Sequence, residues 1–197
     1  MRRNQKGVDT GVTNLVKRAQ KGDADAFAQL VQSRMQNMYK AARAIVSNDE
    51  DAADAISETI LACWEKIGQL RKTEYFRTWM TKILINNCND ILRKRKMLCY
   101  CDEMQEPSVK SEEYNNVEWM EVLQGMDERY RLVMVLYYVN GLNTVQISDV
   151  LQMPASTVRT RLARGREQIA SVYGDFGKRT HEVDMGIGEN GGRYEKI

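Results

Sequence analysis

The sequence predicts an all-α fold: two small helical domains joined by a flexible linker, the second containing a helix-turn-helix. Three observations predict it. Apolar residues recur at steps of three and four up to about residue 173, the period of helices with one buried face. Only two prolines interrupt the 197 residues, and glycine concentrates near the C-terminus. No stretch alternates apolar and polar residues as a half-buried strand would.

Taken in order, residues 1–12 read as a flexible N-terminal arm. Thr13 is placed to cap a short helix carrying Leu15, Val16 and Ala19, which Gly22 ends. Asp23 or Asp25 opens a longer helix with one stripe of Phe27, Leu30, Val31, Met35, Met38, Ala42 and Ile45. Ser47-Asn48-Asp49 breaks that pattern and caps the next helix, whose expected seam is Ala53, Ile56, Ile60, Cys63, Trp64 and Ile67. Asp51, Asp54, Ser57, Glu58 and Glu65 fall on its other faces. Acids near a helix start also complement its dipole, so this face by itself names no partner.

A polar loop, 68–74, precedes a helix over 75–96. Phe76, Met80, Ile83, Leu84, Asn87 and Ile91 form its inward stripe. Arg77, Trp79, Lys82, Asn86, Asp90 and Arg93 lie on the other side, and Arg93-Lys94-Arg95-Lys96 closes it. Cations suit a helix C-terminus. Interleaved with aromatics and amides they equally suit a single nucleic-acid strand, where charges hold phosphates and amides read base edges.

Residues 97–115 carry Pro107 and several acids without a helical stripe, and read as a linker. The second domain spans 116–173. Val117, Met120 and Leu123 share a short helix. Asp127 caps another that buries Tyr130, Val133, Leu136, Tyr137 and Val139, and Gly141 is a left-handed stop. Then comes NTVQISDVLQMPASTVRTRLARGRE. A first helix starting at Thr144, whose hydroxyl can cap its free N–H groups, buries Val145, Ile147, Val150 and Leu151. Pro154 ends it and suits the start of a second, which buries Val158 and Leu162 and runs on through Ile169 to Val172. Ser156, Arg159, Thr160 and Arg164 project from other faces. This is the pattern of a helix-turn-helix, whose second helix enters the DNA major groove. Residues 174–197 read as a disordered tail.

Net charge is only +2, so any nucleic-acid contact must come from local clustering. No apolar run approaches the roughly 20 residues that span a bilayer, and the basic N-terminus lacks a signal peptide's apolar core. A cytoplasmic protein without membrane insertion is expected. Cys63 and Cys88 fall in apolar patterns as small core residues. Cys99 and Cys101 lack further ligands for zinc, the single histidine being His181 in the tail. There is no phosphate-binding Gly-Lys loop and no framed carboxylate pair. No enzyme activity, catalytic residue, metal or cofactor is expected.

The series LVKRAQKGDADAFAQLV, DAADAISETILACW, FRTWMTKILINNCNDILRKRK, MDERYRLVMVLYYVNGL and the helix-turn-helix, in that order, resembles a bacterial sigma factor. The resemblance is to the extracytoplasmic-function group of the sigma-70 family, which keeps regions 2 and 4 only. It covers about residues 13–96 (region 2) and 116–173 (region 4). It implies a factor that binds core RNA polymerase, directs it to promoter DNA and is held in check by an anti-sigma factor.

The resemblance also implies residue roles. Asp51, Asp54, Ser57 and Glu58 match the segment that docks on the polymerase β′ clamp helices. Ser57 stands where the family usually has glutamine, and Ile60 where phenylalanine is frequent. The 68–74 loop and 75–96 helix match the part that captures a flipped non-template base at the −10 element. Asn86 would contact a base edge and Lys82, Arg93 and Arg95 the backbone, while Trp79 reads better as core. Ser156, Arg159, Thr160 and Arg164 match the face that reads the −35 duplex, in a region that also touches the polymerase β flap. Ser148 replaces the usual alanine. Gln152 stands at a turn site often held by glycine or asparagine, a strain if that turn is left-handed. The competing reading is a stand-alone helix-turn-helix regulator on operator DNA, which leaves residues 13–96 without a task.

Overall fold

The computed structural model describes residues 5–99 and 125–173. Within them the chain is helical, without a strand. In the first unit α1 (Gln5–Ala19), α2 (Ala24–Gln32), α3 (Met35–Arg43) and α4 (Asp49–Lys66) lead through two 3₁₀ turns (Ile67–Gln69, Thr73–Tyr75) into α5 (Phe76–Cys99). In the second, α6 (Glu128–Met134) widens into a π turn (Val135–Val139), followed by α7 (Thr144–Leu151) and α8 (Ala155–Tyr173). No helix among the described residues is long and apolar enough to cross a membrane.

Several boundaries differ from the sequence expectation. The N-terminal arm is helical from Gln5, so Thr13 lies inside α1 rather than capping it. Gly22 does close the turn, at φ +88°, and the Asp23 carboxylate accepts from the Ala26 N–H at 2.9 Å to start α2. That bond, with the Arg18 guanidinium at 2.8 Å, lowers the Asp23 pKa. The long helix expected from Asp23 to Ile45 is two helices. The Ser33 hydroxyl donates to the Leu30 carbonyl at 2.7 Å, a local bond that competes with the helix ladder, and Arg34 leaves helical φ at −114°. Met35, expected inside, is exposed as a result.

Asn48 caps α4, its side chain accepting from the Asp51 N–H at 2.7 Å. The buried face of α4 is Asp51, Ala52, Ala55, Ile56, Thr59 and Cys63. Ala53 is exposed and Trp64 keeps 39% of its surface while its ring leans on Phe27 at 5.0 Å. The seam is rotated because small alanines let α4 lie close to α5, with the larger apolar groups at the margin. Cys63 and Cys88 are core residues as expected, and burial pushes both thiols up to about 12. α5 runs past the expected end to Cys99. Residues 1–4, the rest of the 97–115 linker, the short helix expected around Met120, Cys101 and the 174–197 tail lie outside the described residues.

The two units share a seam. Val133, Met134, Val135 and Leu136 are all buried, which a one-sided helix cannot achieve. The π turn makes it possible: Asn140 N–H reaches the Val135 carbonyl at 3.0 Å, widening the coil. Val135 joins the core of the first unit and Leu136 that of the second, while Ile85 of α5 sits in the second core. Across the seam the Asn37 amide donates to the Val139 carbonyl at 2.7 Å.

Candidate nucleic-acid interface

The candidate site of the second unit lies on α8. Asn143, not Thr144, caps α7. Its side chain accepts from the Gln146 N–H at 2.9 Å, and the Gln146 side chain accepts from the Asn143 N–H at 3.0 Å, a reciprocal capping box. The helix begins at Thr144 as expected, but Val145 stands two residues before the buried Ile147, on the other side of the helix, and is 55% exposed against the expectation that it is buried. Ile147 and Val150 are buried as expected.

The turn between α7 and α8 is left-handed at Gln152, φ +52° and ψ +42°. A non-glycine residue there is strained, and two side chains offset the strain. The Gln152 amide donates to the Asp149 carbonyl, and the Ser148 hydroxyl donates to the Met153 carbonyl at 2.6 Å. The Pro154 carbonyl then accepts from the Val158 N–H at 3.1 Å, the first bond of α8.

Val158 and Leu162 anchor α8, and Ser156, Arg159, Thr160 and Arg164 all lie exposed on its open side. The Thr160 hydroxyl donates to the Ser156 carbonyl at 3.1 Å. Arg164 meets Glu167 at 2.9 Å, both well exposed. That hydrogen bond raises the Arg164 pKa. A pair so open to water is worth little and is readily exchanged for a phosphate or a base edge.

Sequence reasoning missed two supports of this helix. Gly165 is buried, and a Cβ there would lie 2.8 Å from Met134 Cγ, so the glycine admits α6. Arg166 is a strut: its Nε donates to the Tyr138 hydroxyl at 2.8 Å, and its guanidinium lies 5.8 and 5.9 Å from the Tyr137 and Tyr138 rings. The adjacent tyrosines just before the helix-turn-helix were the available signal, but pairing them with Arg166 needs the tertiary fold.

On α5 the side chains of Lys82 and Asn86 are exposed one turn apart. Trp79 is half-buried against Phe76 at 6.1 Å, as the core reading expected. Arg93 is exposed and pairs with Asp90 at 3.0 Å. Arg95 reaches back to Asp51 at 2.9 Å. This corrects the expectation for Asp51, which is only 6% exposed. Its carboxylate is held by Arg95 and by the Asn48 amide at 3.0 Å, so it cannot be an open docking contact. Ala52 and Ala55 draw that edge of α4 inward. Asp54, Ser57 and Glu58 remain exposed, beside Leu61 at 59%. The structure thus brings Asp51 and Arg95, assigned to different surfaces, into one ion pair.

Comparison with known proteins identifies two family regions. The family described as Sigma-70 region 2 matches residues 30–97, and Sigma-70, region 4 matches residues 116–169. The chain is 29% identical over 180 residues to the ECF RNA polymerase sigma factor SigW of Bacillus subtilis (strain 168), covering 82% of this chain and 96% of that protein. It is 28% identical over 132 residues to the RNA polymerase sigma factor SigV of the same strain, covering 66% and 80%. Among solved structures, CnrH in complex with the cytosolic domain of CnrY matches with TM-score 0.60 and 23% identity, covering 82% of this chain and 96% of that one. The sigma factor RpoE from Bartonella quintana, in complex with the anti-sigma factor NepR, matches with TM-score 0.65 and 17% identity, covering 76% and 98%. At these identities the structural likeness is one of fold.

Proposed function

We infer the function from one premise: the chain belongs to the sigma-70 family of RNA polymerase sigma factors, in its extracytoplasmic-function group. It is a transcription initiation factor that directs core RNA polymerase to promoters and favours opening of the −10 element. The observation that carries this reading is the presence of both regions, in order, in one chain. A stand-alone regulator would need the second alone. The factor forms and breaks no bond; nucleotidyl transfer belongs to the polymerase, and the cytoplasm is where the two meet.

In this reading residues 13–96 form the region that binds the polymerase clamp and the −10 strand, and 116–173 the region that binds the −35 duplex. Ser156, Arg159, Thr160 and Arg164 read the duplex, since they share the open side of a helix anchored by Val158 and Leu162. Lys82 and Asn86 take the opened strand, with Arg93 beside them. Arg95 orients this end of α5 through Asp51 and meets phosphate only with its exposed edge. Asp54, Ser57 and Glu58 face the β′ clamp helices, with Leu61 as apolar anchor. Strand opening is driven by binding: extruding a base costs a few kcal/mol, which the pocket must return. An anti-sigma factor is the expected inhibitor.

Binding to purified core polymerase, followed by transcription from a genomic-fragment library, tests this function. Stoichiometric binding and new discrete start sites are expected. Failure to bind core, with salt-sensitive binding to one duplex, would replace it with the stand-alone regulator.

A further inference from the structure

Gln20 follows α1 directly and precedes the residues matched as region 2. Its amide nitrogen donates to two carbonyls, Ile67 at 3.0 Å and Leu70 at 2.8 Å. These are distant in sequence but are the two ends of one 3₁₀ turn, itself closed by Leu70 N–H on Ile67 at 3.1 Å. An amide nitrogen has two protons and each finds one acceptor. Because both partners are carbonyls, chemistry fixes which way the amide faces.

The turn is pinned from inside as well. Ile67 and Leu70 are buried, while Gly68, Gln69, Arg71 and Lys72 between and after them face water. α1 also packs against the second turn, Thr73–Tyr75, where the Lys72 ammonium lies 5.8 Å from the Tyr75 ring. Helix α1 therefore braces the whole exposed connection that leads into α5 and its strand-facing Lys82 and Asn86.

We propose that Gln20 is a positioning residue for −10 strand capture, holding the 67–75 connection in the shape that receives the extruded base. This rests on the reading of 68–74 and α5 as the strand-capturing part. A loose connection would have to be ordered at the moment of capture, at a cost in conformational entropy set against binding. The Gln20 amide removes that cost beforehand. Nothing in it needs Gln20 to touch DNA.

The test uses reconstituted holoenzyme with wild-type chain, Gln20→Glu and Gln20→Met. Both variants keep the side-chain length and lose both donors. Three affinities are measured: for core polymerase, for a −35 duplex, and for a single-stranded 2-aminopurine oligonucleotide copied from the −10 region of a start site the factor itself selects. Affinity for the single strand should fall roughly tenfold in both variants, as for one part-buried carbonyl left unmet, with the other two within about twofold. Equal single-strand affinity in wild type and variants overturns the proposal, and so does parallel loss of all three, the mark of general unfolding. If neither variant folds, slow exchange of both Gln20 side-chain amide protons in the wild type supports the clamp and fast exchange overturns it. A wild-type holoenzyme that ignores the single strand overturns the −10 reading itself, and this proposal with it.

Discussion

Helices α5 and α8 both carry arginines on a face we propose for nucleic acid, and they differ in how the fold holds one of them. On α8, Arg159 stands in water and Arg164 shares a fully open pair with Glu167. On α5, Arg93 shares an equally open pair with Asp90, but Arg95 is tied to the buried Asp51. The difference follows from how each helix is buried. α8 is anchored by a narrow stripe, leaving its other side open to solvent. α5 runs through the core of one unit and lends Ile85 to the other, so its cations also serve the fold. A duplex reader needs free charges on a rigid rod. A strand-capturing helix needs fixed geometry, which the buried Asp51 supplies at Arg95.

The largest expected effect separates the two helices. Arg159→Ala with Arg164→Ala should weaken −35 duplex binding on the order of 100-fold, at about 1–3 kcal/mol per contact, with core binding unchanged. Gel-shift titration of holoenzyme measures it; equal loss of core binding would break the comparison. Next, Asn86→Ala should reduce strand opening about tenfold, read by a base-sensitive fluorophore at −10, while initial duplex binding stays constant.

The ion pair on α5 sharpens the contrast. Arg95→Ala leaves the Asp51 carboxylate short of its main partner. Because the Arg95 side chain is about half exposed (48%), the cost should be about 1–2 kcal/mol rather than the full loss of a buried pair. Arg164→Ala should cost almost nothing in stability. Thermal unfolding of the two variants checks this, and equal midpoints would show the Asp51 pair to be idle. Gly165→Ala should cost about 1–3 kcal/mol, since the new methyl would lie 2.8 Å from Cγ of the buried Met134.

The smallest effect is a pH dependence confined to the second unit. Hydrogen bonds from Arg129 hold the Asp127 carboxyl down to about 2, below its ordinary 3.8. A lowered folded-state value means stability that is present above the ordinary value and lost as pH falls through the folded one. The stability difference between wild type and Asp127→Ala should therefore shrink from about pH 4 toward pH 2. A constant difference would remove the charge from the account of this cap.

The same contrast explains what was legible in the sequence. α8 was read correctly, down to Val158, Leu162 and the run to its end, because burial on one side preserves the helical period. The face of α4 was read one step off. Ala52, Ala55 and Thr59 face inward by virtue of being small and close to α5, and size is not what a hydrophobicity pattern records. The break at Ser33 and the cap at Asn143 turn on single side-chain hydrogen bonds. Several residues could have supplied either. The pairing of Asp51 with Arg95 joins residues that the sequence assigns to separate surfaces, and only their packing brings them together. Gln20 carries no motif at all; its partners are backbone carbonyls, which every residue has.

One measurement addresses the division of labour directly. A single promoter is labelled with one fluorophore in the −35 duplex and 2-aminopurine at −10, and holoenzymes carrying either the Arg159→Ala, Arg164→Ala pair or Asn86→Ala are compared at concentrations that saturate core. A crossover is expected: the paired variant loses the −35 signal first and recovers opening when DNA is raised, whereas Asn86→Ala keeps the −35 signal and opens about tenfold less at every DNA concentration. Parallel loss of both signals in either variant would contradict it.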